Sequence, residues 1–139
     1  MRYFVTVVGY RGTPLPAKLG IKDGTTLALL KAPPGLLTEL PPGVTVKRQA
    51  RGTADVVVAF FTRRAEFEGR VGPLGAMVFP AGGLWVAWPK QSAGVETDMT
   101  ADVVREVALP VWLVDNKVCA IDETWTGLRV VWRVERRGS

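Results

Sequence analysis

The chain has 139 residues, a formal net charge of +5 and 47% apolar residues. This length fits one domain, which we assign to residues 1–139, and it allows about two thirds of the unfolded-chain surface to be buried without staples. The sequence has no histidine and one cysteine, Cys119, which excludes an intrachain disulfide and a Ser-His catalytic pair. A zinc site would lack its usual ligands. We therefore expect no metal, and a protein of the reducing cytoplasm.

The basic excess is spread along the chain. Eighteen Lys and Arg residues face thirteen Asp and Glu residues, but no run of five basic residues occurs. A solvated surface is therefore favoured, and nucleic-acid binding is a weak alternative. Residues 1–8 are predicted as an N-terminal extension and residues 135–139 as a basic tail. The apolar stretch from Tyr3 to Val8 is shorter than a secretory signal core, and no run is long enough to span a membrane.

Apolar runs predict three strands in the first half of the chain. They are Thr25 to Lys31, Val44 to Gln49 and Asp55 to Phe61. The first and third are nearly continuous apolar runs, typical of strands covered on both faces, and the partly polar second run suits the sheet edge. Helical segments are predicted at Pro14 to Leu19, stopped by Gly20, and at Leu36 to Leu40.

The second half of the chain alternates helices and strands. Helices are predicted at Arg63 to Phe79 and Ala101 to Leu109, and strands at Leu84 to Trp88, Lys117 to Asp122 and Leu128 to Val134. Gly72 and Pro73 predict an interruption in the first helix, and Thr100 is the predicted N-cap of the second. Glu123 to Gly127 would form the last turn. This order predicts a three-layer α/β fold, with a mostly parallel sheet and a C-terminal antiparallel hairpin.

Several long strings resemble a bacterial family known as domain of unknown function 3052. They are GYRGTPLPAKLGI from Gly9 to Ile21, PAGGLWVAWPK from Pro80, the pair Thr97 and Asp98, and VDNKVCAIDETWTGLR from Val114. The resemblance covers nearly all of the chain beyond Val8, and the family has no established activity to carry over. A looser similarity concerns the helix ending in PAGG, the apolar strand after it, the next helix and the hairpin. This order is similar to the second half of class I methyltransferases, which are Rossmann-like.

The cofactor loop of such methyltransferases is not recognisable here. The resemblance implies a Gly-rich turn after the first strand and an acidic residue at the end of the next strand. The corresponding turn, Lys31 to Gly35, has one glycine and two prolines, and Val44 to Gln49 ends without an acid. Proline has no N–H to donate to a ligand. We therefore expect a methyltransferase-like sheet that lacks the Gly-rich cofactor loop and binds no cofactor.

Two groups of polar and aromatic residues are candidates for ligand binding, and no catalytic residue is assigned. Trp88, Lys90, Thr97 and Asp98 follow a predicted strand, at the edge where open α/β sheets bind ligands. A Lys–Asp pair beside a Trp would suit an anionic or polar ligand. The alternative is a helix-capping loop with a solvated lysine.

The second group lies in the predicted hairpin and consists of Lys117, Asp122, Glu123 and Trp125. A buried carboxylate here could act as a general base, but a polar turn is the favoured explanation of the same residues. Cys119 lies in an apolar strand and is expected to be a buried, inert thiol.

The first hypothesis is a non-catalytic methyltransferase-like domain that binds a small ligand or a protein, and that could form a homo-oligomer. The alternatives are an enzyme of unassigned type, such as a divergent methyltransferase, using Lys90, Asp98 and Glu123, and a weak nucleic-acid-binding protein.

Overall fold

The computed structural model describes residues 13–138, which contain one six-stranded sheet. Its strands are β1 (Thr26–Leu30), β2 (Thr45–Lys47), β3 (Val56–Phe60), β4 (Gly83–Pro89), β5 (Leu113–Ala120) and β6 (Trp125–Trp132). Their order is β2-β1-β3-β4-β6-β5. Strands β1 to β4 are parallel, and β6 is antiparallel to both β4 and β5. The prediction of a mostly parallel sheet that ends in an antiparallel hairpin is confirmed.

Two helices cover one face of the sheet. They are α2 (Arg64–Val78) and α3 (Ala101–Ala108), and both bury apolar side chains against the central strands. The predicted interruption of α2 is wrong, because the helix continues through Pro73. Pro73 and Gly72 lie on its exposed side, while the buried side chains of the other side hold the helix to the sheet. Thr100 caps α3 as predicted, and its hydroxyl accepts a hydrogen bond from the Val103 N–H at 3.1 Å.

The opposite face is covered, within residues 13–138, by short or irregular segments. The helix α1 (Leu15–Lys18) lies on this face, and so does the segment 31–44. The predicted helical turn from Leu36 to Leu40 is wrong, because Gly35 and Leu37 adopt positive φ angles of 80° and 55° that end any helix. The described part of the chain therefore has long helices on only one side of the sheet, rather than the two helical layers of the predicted three-layer arrangement.

Trp85 anchors this irregular cover. Its side chain is fully buried, and its indole N–H donates to the Leu19 carbonyl at 2.9 Å. The bond ties the end of α1 to the middle of β4. Trp85 thus belongs to the core, while Trp132 is half-buried and its indole N–H donates to the Gly75 carbonyl.

The C-terminal hairpin is longer than predicted, and its turn lies earlier in the chain. Strand β6 begins at Trp125, so the predicted turn from Glu123 to Gly127 is wrong and residues 121–124 form the tip. Strand β6 starts this early because it pairs with β4 along the whole of that strand's end, where Pro89 lies opposite Trp125. Residues 135–137 of the predicted basic tail belong to a short helix, α4 (Val134–Arg137). The predicted N-terminal extension, residues 1–8, lies outside the described residues.

None of the helices in residues 13–138 combines the length and the apolar character that a membrane crossing requires.

Candidate functional site

The carboxyl edge of the sheet is the natural place for a ligand in this topology. From β1 the chain moves to β2 on one side and then to β3 on the other, so the strand order reverses between β1 and β3. Open α/β sheets bind ligands outside the carboxyl ends of their strands, at such a switch point. We therefore describe the edge from the end of β1 to the tip of the hairpin.

The largest opening on this edge lies beyond β4, and we call it the β4 cleft. Its volume is about 540 Å³. It is lined by Trp88, Pro89, Lys90, Gln91, Val95, Thr97, Met99, Thr100, Ala101 and Thr126. Strand β4 supplies one wall, the loop 90–100 a second, the start of α3 a third, and β6 the last. A volume of this size is within the range of small-molecule sites.

The β4 cleft combines an apolar wall with polar groups. Trp88 is buried at the end of β4, directly opposite Thr126 of β6, so its ring forms part of a wall and not an exposed platform. The Lys90 N–H donates to the Thr124 carbonyl at 2.8 Å, which fixes the start of the loop against the hairpin. Among residues 13–138, no carboxylate forms an ion pair with the Lys90 ammonium. The first amides of α3, which a helix leaves without internal acceptors, border the same space.

Thr97 and Asp98 hold the loop 90–100 in place. The Thr97 hydroxyl donates to the Thr62 carbonyl at 2.7 Å and accepts from the Met99 N–H at 3.0 Å. Asp98 Oδ1 accepts from the Arg64 N–H at 2.7 Å and so caps α2, which has no side-chain cap of its own. The arrangement matches the capping-loop alternative for these two residues.

A second, smaller opening of about 410 Å³ lies beyond β3. Thr62, Arg63, Glu96, Thr97 and Asp98 line it, and it shares Thr97 with the β4 cleft. Lys90 and Asp98 therefore line different openings. The expected Lys–Asp pair is not formed.

The predicted hairpin group does not converge on one site. Asp122 Oδ1 accepts from the backbone N–H groups of Thr124 and Trp125, at 2.8 and 2.7 Å, and forms the polar turn that was the alternative reading. Glu123 is exposed at the tip. Lys117 lies in the middle of β5, opposite Arg129, and not at the carboxyl edge.

Trp125 belongs to the carboxyl edge but on the face without long helices. Its ring meets the edge of Phe60 at a centroid distance of 5.1 Å. The ring packs against the apolar cluster that also receives Leu36 and Leu37. Trp125 therefore helps to close this face, while Trp88 points to the face that carries α2 and α3.

The crevice between the ends of β1 and β3, which we call the switch-point crevice, is almost filled. It has a volume of about 10 Å³, lined by Leu30, Lys31, Ala59, Phe60, Phe61, Arg70 and Leu74. Across it, the Lys31 ammonium forms an ion pair with Glu66 of α2. This volume is about that of one water molecule.

The turn after β1 is set by Lys31 and Gly35, whose φ angles are 59° and 80°. Pro33 and Pro34 between them carry no N–H. At the end of β2, the Lys47 ammonium donates to the Thr53 carbonyl at 2.7 Å, so a basic side chain lies at the position expected for an acid.

Ion pairs organise the helices beside the site. The Arg64 guanidinium at the start of α2 donates hydrogen bonds to the carboxylates of Glu68 and Glu106, and these bonds raise its pKa. The carboxylate of Asp115 likewise raises the pKa of Arg105 on α3. These arginines are paired with carboxylates of the fold, whereas none of the ion pairs formed within residues 13–138 involves Lys90. Cys119 is half-buried, and this burial raises the pKa of its thiol.

Sequence reasoning missed Thr126, Met99 and Glu66. Thr126 lies opposite Trp88, so a correct start for β6 would have identified it. Met99 is buried at the loop end, and only its apolar character beside Thr100 signals this. Nothing in the sequence signals the Lys31–Glu66 pair, because its partners are 35 residues apart.

Solved structures with a similar fold are methyltransferases and related proteins. The magnesium protoporphyrin IX methyltransferase of Synechocystis PCC 6803 with bound SAH aligns with a TM-score of 0.56 and 11% identity, over 80% of this chain and 75% of that chain. A putative methyltransferase from Thermoplasma acidophilum aligns with a TM-score of 0.55 and 8% identity, over 82% of this chain and 70% of that chain. The fibrillarin pre-rRNA processing protein of Methanococcus jannaschii aligns with a TM-score of 0.55 and 10% identity, over 80% of this chain and 67% of that chain.

At these identities the similarity establishes the fold alone. The chain therefore has a mixed α/β, Rossmann-like methyltransferase fold, and the looser of the two resemblances is confirmed. No protein-family model matches the sequence, and no curated protein matches it. The resemblance to domain of unknown function 3052 stays a prediction.

Proposed function

We propose that this chain is a methyltransferase-like domain that binds a small anionic ligand in the β4 cleft and carries out no methyl transfer. The observation that carries the proposal is the contrast along one sheet edge. The switch-point crevice has a volume of about 10 Å³, and the β4 cleft has one of about 540 Å³. Membership of the family of domain of unknown function 3052 is part of the proposal and rests on the sequence strings quoted above.

The residues at the switch point do not fit an adenosyl cofactor. A crevice of one water volume leaves no space for a nucleoside. The Lys31–Glu66 ion pair spans it, and Pro33 and Pro34 remove two amides that a cofactor loop would direct at its ligand. The acid expected at the end of β2 is replaced by Lys47, which is engaged with the backbone. These features support a fold that kept its sheet without its cofactor site.

The β4 cleft suits an anion that carries an apolar part. Lys90 supplies a positive charge, and the start of α3 supplies the Ala101 amide and the positive end of a helix dipole. Trp88 and Met99 supply the apolar wall. A carboxylate or phosphate attached to a planar or aliphatic group matches these features in charge and in polarity.

The test uses ¹⁵N-labelled full chain and three probes: inorganic pyrophosphate, adenosine monophosphate and S-adenosylmethionine. Adenosine monophosphate combines a phosphate with an apolar ring, so it should shift amide resonances of residues 88–101. Lys90→Gln should weaken this binding at least fivefold, since the ammonium contributes a charged contact. Lys22→Gln removes the same charge from an exposed residue that lines neither opening, and it should leave the affinity unchanged. Absence of shifts at 88–101 with both phosphate probes would refute the proposal.

A divergent methyltransferase is the second candidate, because the similar solved structures include a methyltransferase with bound SAM. This candidate predicts that S-adenosylmethionine binds and shifts residues 31–35. Such a result would overturn the non-catalytic proposal. The unassigned enzyme that uses Lys90, Asp98 and Glu123 gains no support, since Asp98 caps α2 and Glu123 is exposed at the hairpin tip.

A further inference from the structure

Strand β5 forms one outer edge of the sheet, and within residues 13–138 no strand pairs with its free side. The edge is eight residues long, whereas β2 at the opposite edge has three. Val118 near the end of β5 has 68% of its surface exposed, more than any other large apolar residue within the strands. A long edge with an exposed β-branched residue is a template for another strand.

The hydrogen-bond phase of the hairpin determines which backbone groups of β5 are free. The Ile121 N–H donates to the Trp125 carbonyl at 2.9 Å. Because hydrogen-bonded and non-hydrogen-bonded pairs alternate in an antiparallel ladder, Cys119 and Lys117 also bond towards β6. Val118 and Ala120 then direct their N–H and C=O groups to the free edge.

Strand β4 gives an independent check of this phase. The Ala87 carbonyl accepts from the N–H of Phe61, the residue that follows β3, so odd-numbered residues of β4 bond towards β3. Its even-numbered residues bond towards β6, and Val86 lies opposite Leu128. Leu128 therefore bonds away from β5, which agrees with the free backbone groups of Val118 opposite it.

We propose that two copies of this chain pair antiparallel through β5, with the two-fold axis at Val118. Each Val118 would exchange two backbone hydrogen bonds with its copy. Lys117 would lie opposite Cys119 of the second copy, and Asn116 opposite Ala120. The two sheets would form one continuous sheet.

The residues of β5 favour this register and a second copy as the occupant. A two-fold axis at Val118 places a β-branched residue against itself and no charge opposite a like charge. A shift of the axis to Lys117 would place two lysines opposite each other. It would also require interface hydrogen bonds from the backbone of Lys117, whose N–H and C=O groups already bond to β6. The irregular step between Asp115 and Lys117 ends the flat part of the edge, so the pairing extends over residues 116–120.

Sedimentation velocity of the full chain over a wide concentration range tests the proposal. We expect a monomer–dimer equilibrium. Val118→Pro removes an N–H that the chain's own sheet does not use, and it should weaken dimerisation at least tenfold. Val118→Asp, a second change at the same exposed position, should do the same through charge repulsion, and circular dichroism checks that each variant is folded.

A cross-link gives the second readout. In the double variant V118C/C119S, the new thiols would lie directly opposite, with Cα atoms about 5.5 Å apart, within disulfide reach. Oxidation should therefore yield a covalent dimer. The matched control V46C/C119S places a thiol at the exposed valine of the other edge strand and should not cross-link. A monomer at every concentration, a dimer indifferent to Val118, a larger assembly, or equal cross-linking of the control would each refute the proposal.

Discussion

Replacement of Asp98 by alanine should destabilise the fold without emptying a ligand site. Its carboxylate accepts from the Arg64 N–H at 2.7 Å and lies at the start of α2, whose own N-cap residue, Arg63, offers no side-chain acceptor. The substitution removes an acceptor and a negative charge from a helix N-terminus. Loss of such a cap costs about 1–2 kcal/mol.

Asparagine at the same position separates the two contributions. Asp98→Asn keeps an oxygen acceptor and loses only the charge, so it should cost about 0.3–1 kcal/mol. For a domain of this size, the alanine variant should melt about 3–8 °C lower. Thermal and urea unfolding measure both values, with Glu96→Ala as a control because that neighbouring carboxylate is exposed and engages no described partner. The cost of the asparagine variant should shrink in 0.5 M salt, since charge interactions are screened at about 4 Å under such conditions.

The reasoning about Asp98 would be refuted in either of two ways. Equal loss of stability in the alanine and asparagine variants would show that the acceptor is not what matters. An unchanged melting temperature in Asp98→Ala, together with loss of adenosine monophosphate binding, would show that Asp98 is a ligand residue after all.

Three further outcomes are expected. Gly82→Ala should destabilise the fold by about 2 kcal/mol or more, because its Cβ would lie 2.7 Å from the Asp55 carbonyl, while Gly72→Ala on the open side of α2 should stabilise it by about 0.5–1 kcal/mol in urea unfolding. Trp85→Phe should cost about 2–3 kcal/mol by calorimetry, since a buried carbonyl loses its donor and the core loses volume. Burial raises the pKa of the Cys119 thiol, so the folded state holds this proton more tightly than the unfolded chain does. The resulting contribution to stability is lost as the pH rises above the ordinary thiol range. Alkylation of Cys119 should therefore reach half of its maximal rate at a higher pH in the folded protein than in urea.

Elements with strong local signals could be predicted from the sequence. Strand β4 is a nearly continuous apolar run that begins at the second of two glycines, and α3 has Thr100 before a helical spacing of valines. In both cases the local pattern and the tertiary environment agree, so the predicted and observed elements coincide closely.

The errors arise where tertiary contacts override a local signal. Pro73 is a helix breaker by propensity, yet it lies on the exposed side of α2 and the apolar side holds the helix together. Thr126 and Gly127 have the polar and small character of a turn. Pairing with β4 nevertheless extends β6 to Trp125.

The candidate site could be located from the sequence, but the roles of its residues could not. Strand ends define the carboxyl edge, so Trp88 and Lys90 were expected there. The roles of Thr97 and Asp98 depend on hydrogen bonds to residues 35 and 34 positions away. A single sequence carries no signal for such partners, and a polar loop that caps a helix has the same composition as one that binds a ligand.

The position of the open cleft follows from how the chain connects β1 to β2. A parallel crossover usually contains a helix, but Pro-Pro pairs at 33–34 and 41–42 exclude one from most of the segment 31–44. The segment instead packs apolar side chains, such as Leu36 and Leu40, on the cluster that contains Phe60. Glycine substitutions at the prolines would therefore not reopen the switch-point crevice, because Leu74 and the Lys31–Glu66 pair fill it from the side of α2. The free volume at this edge is consequently found beyond β3 and β4, on the two sides of Thr97 in the loop 90–100.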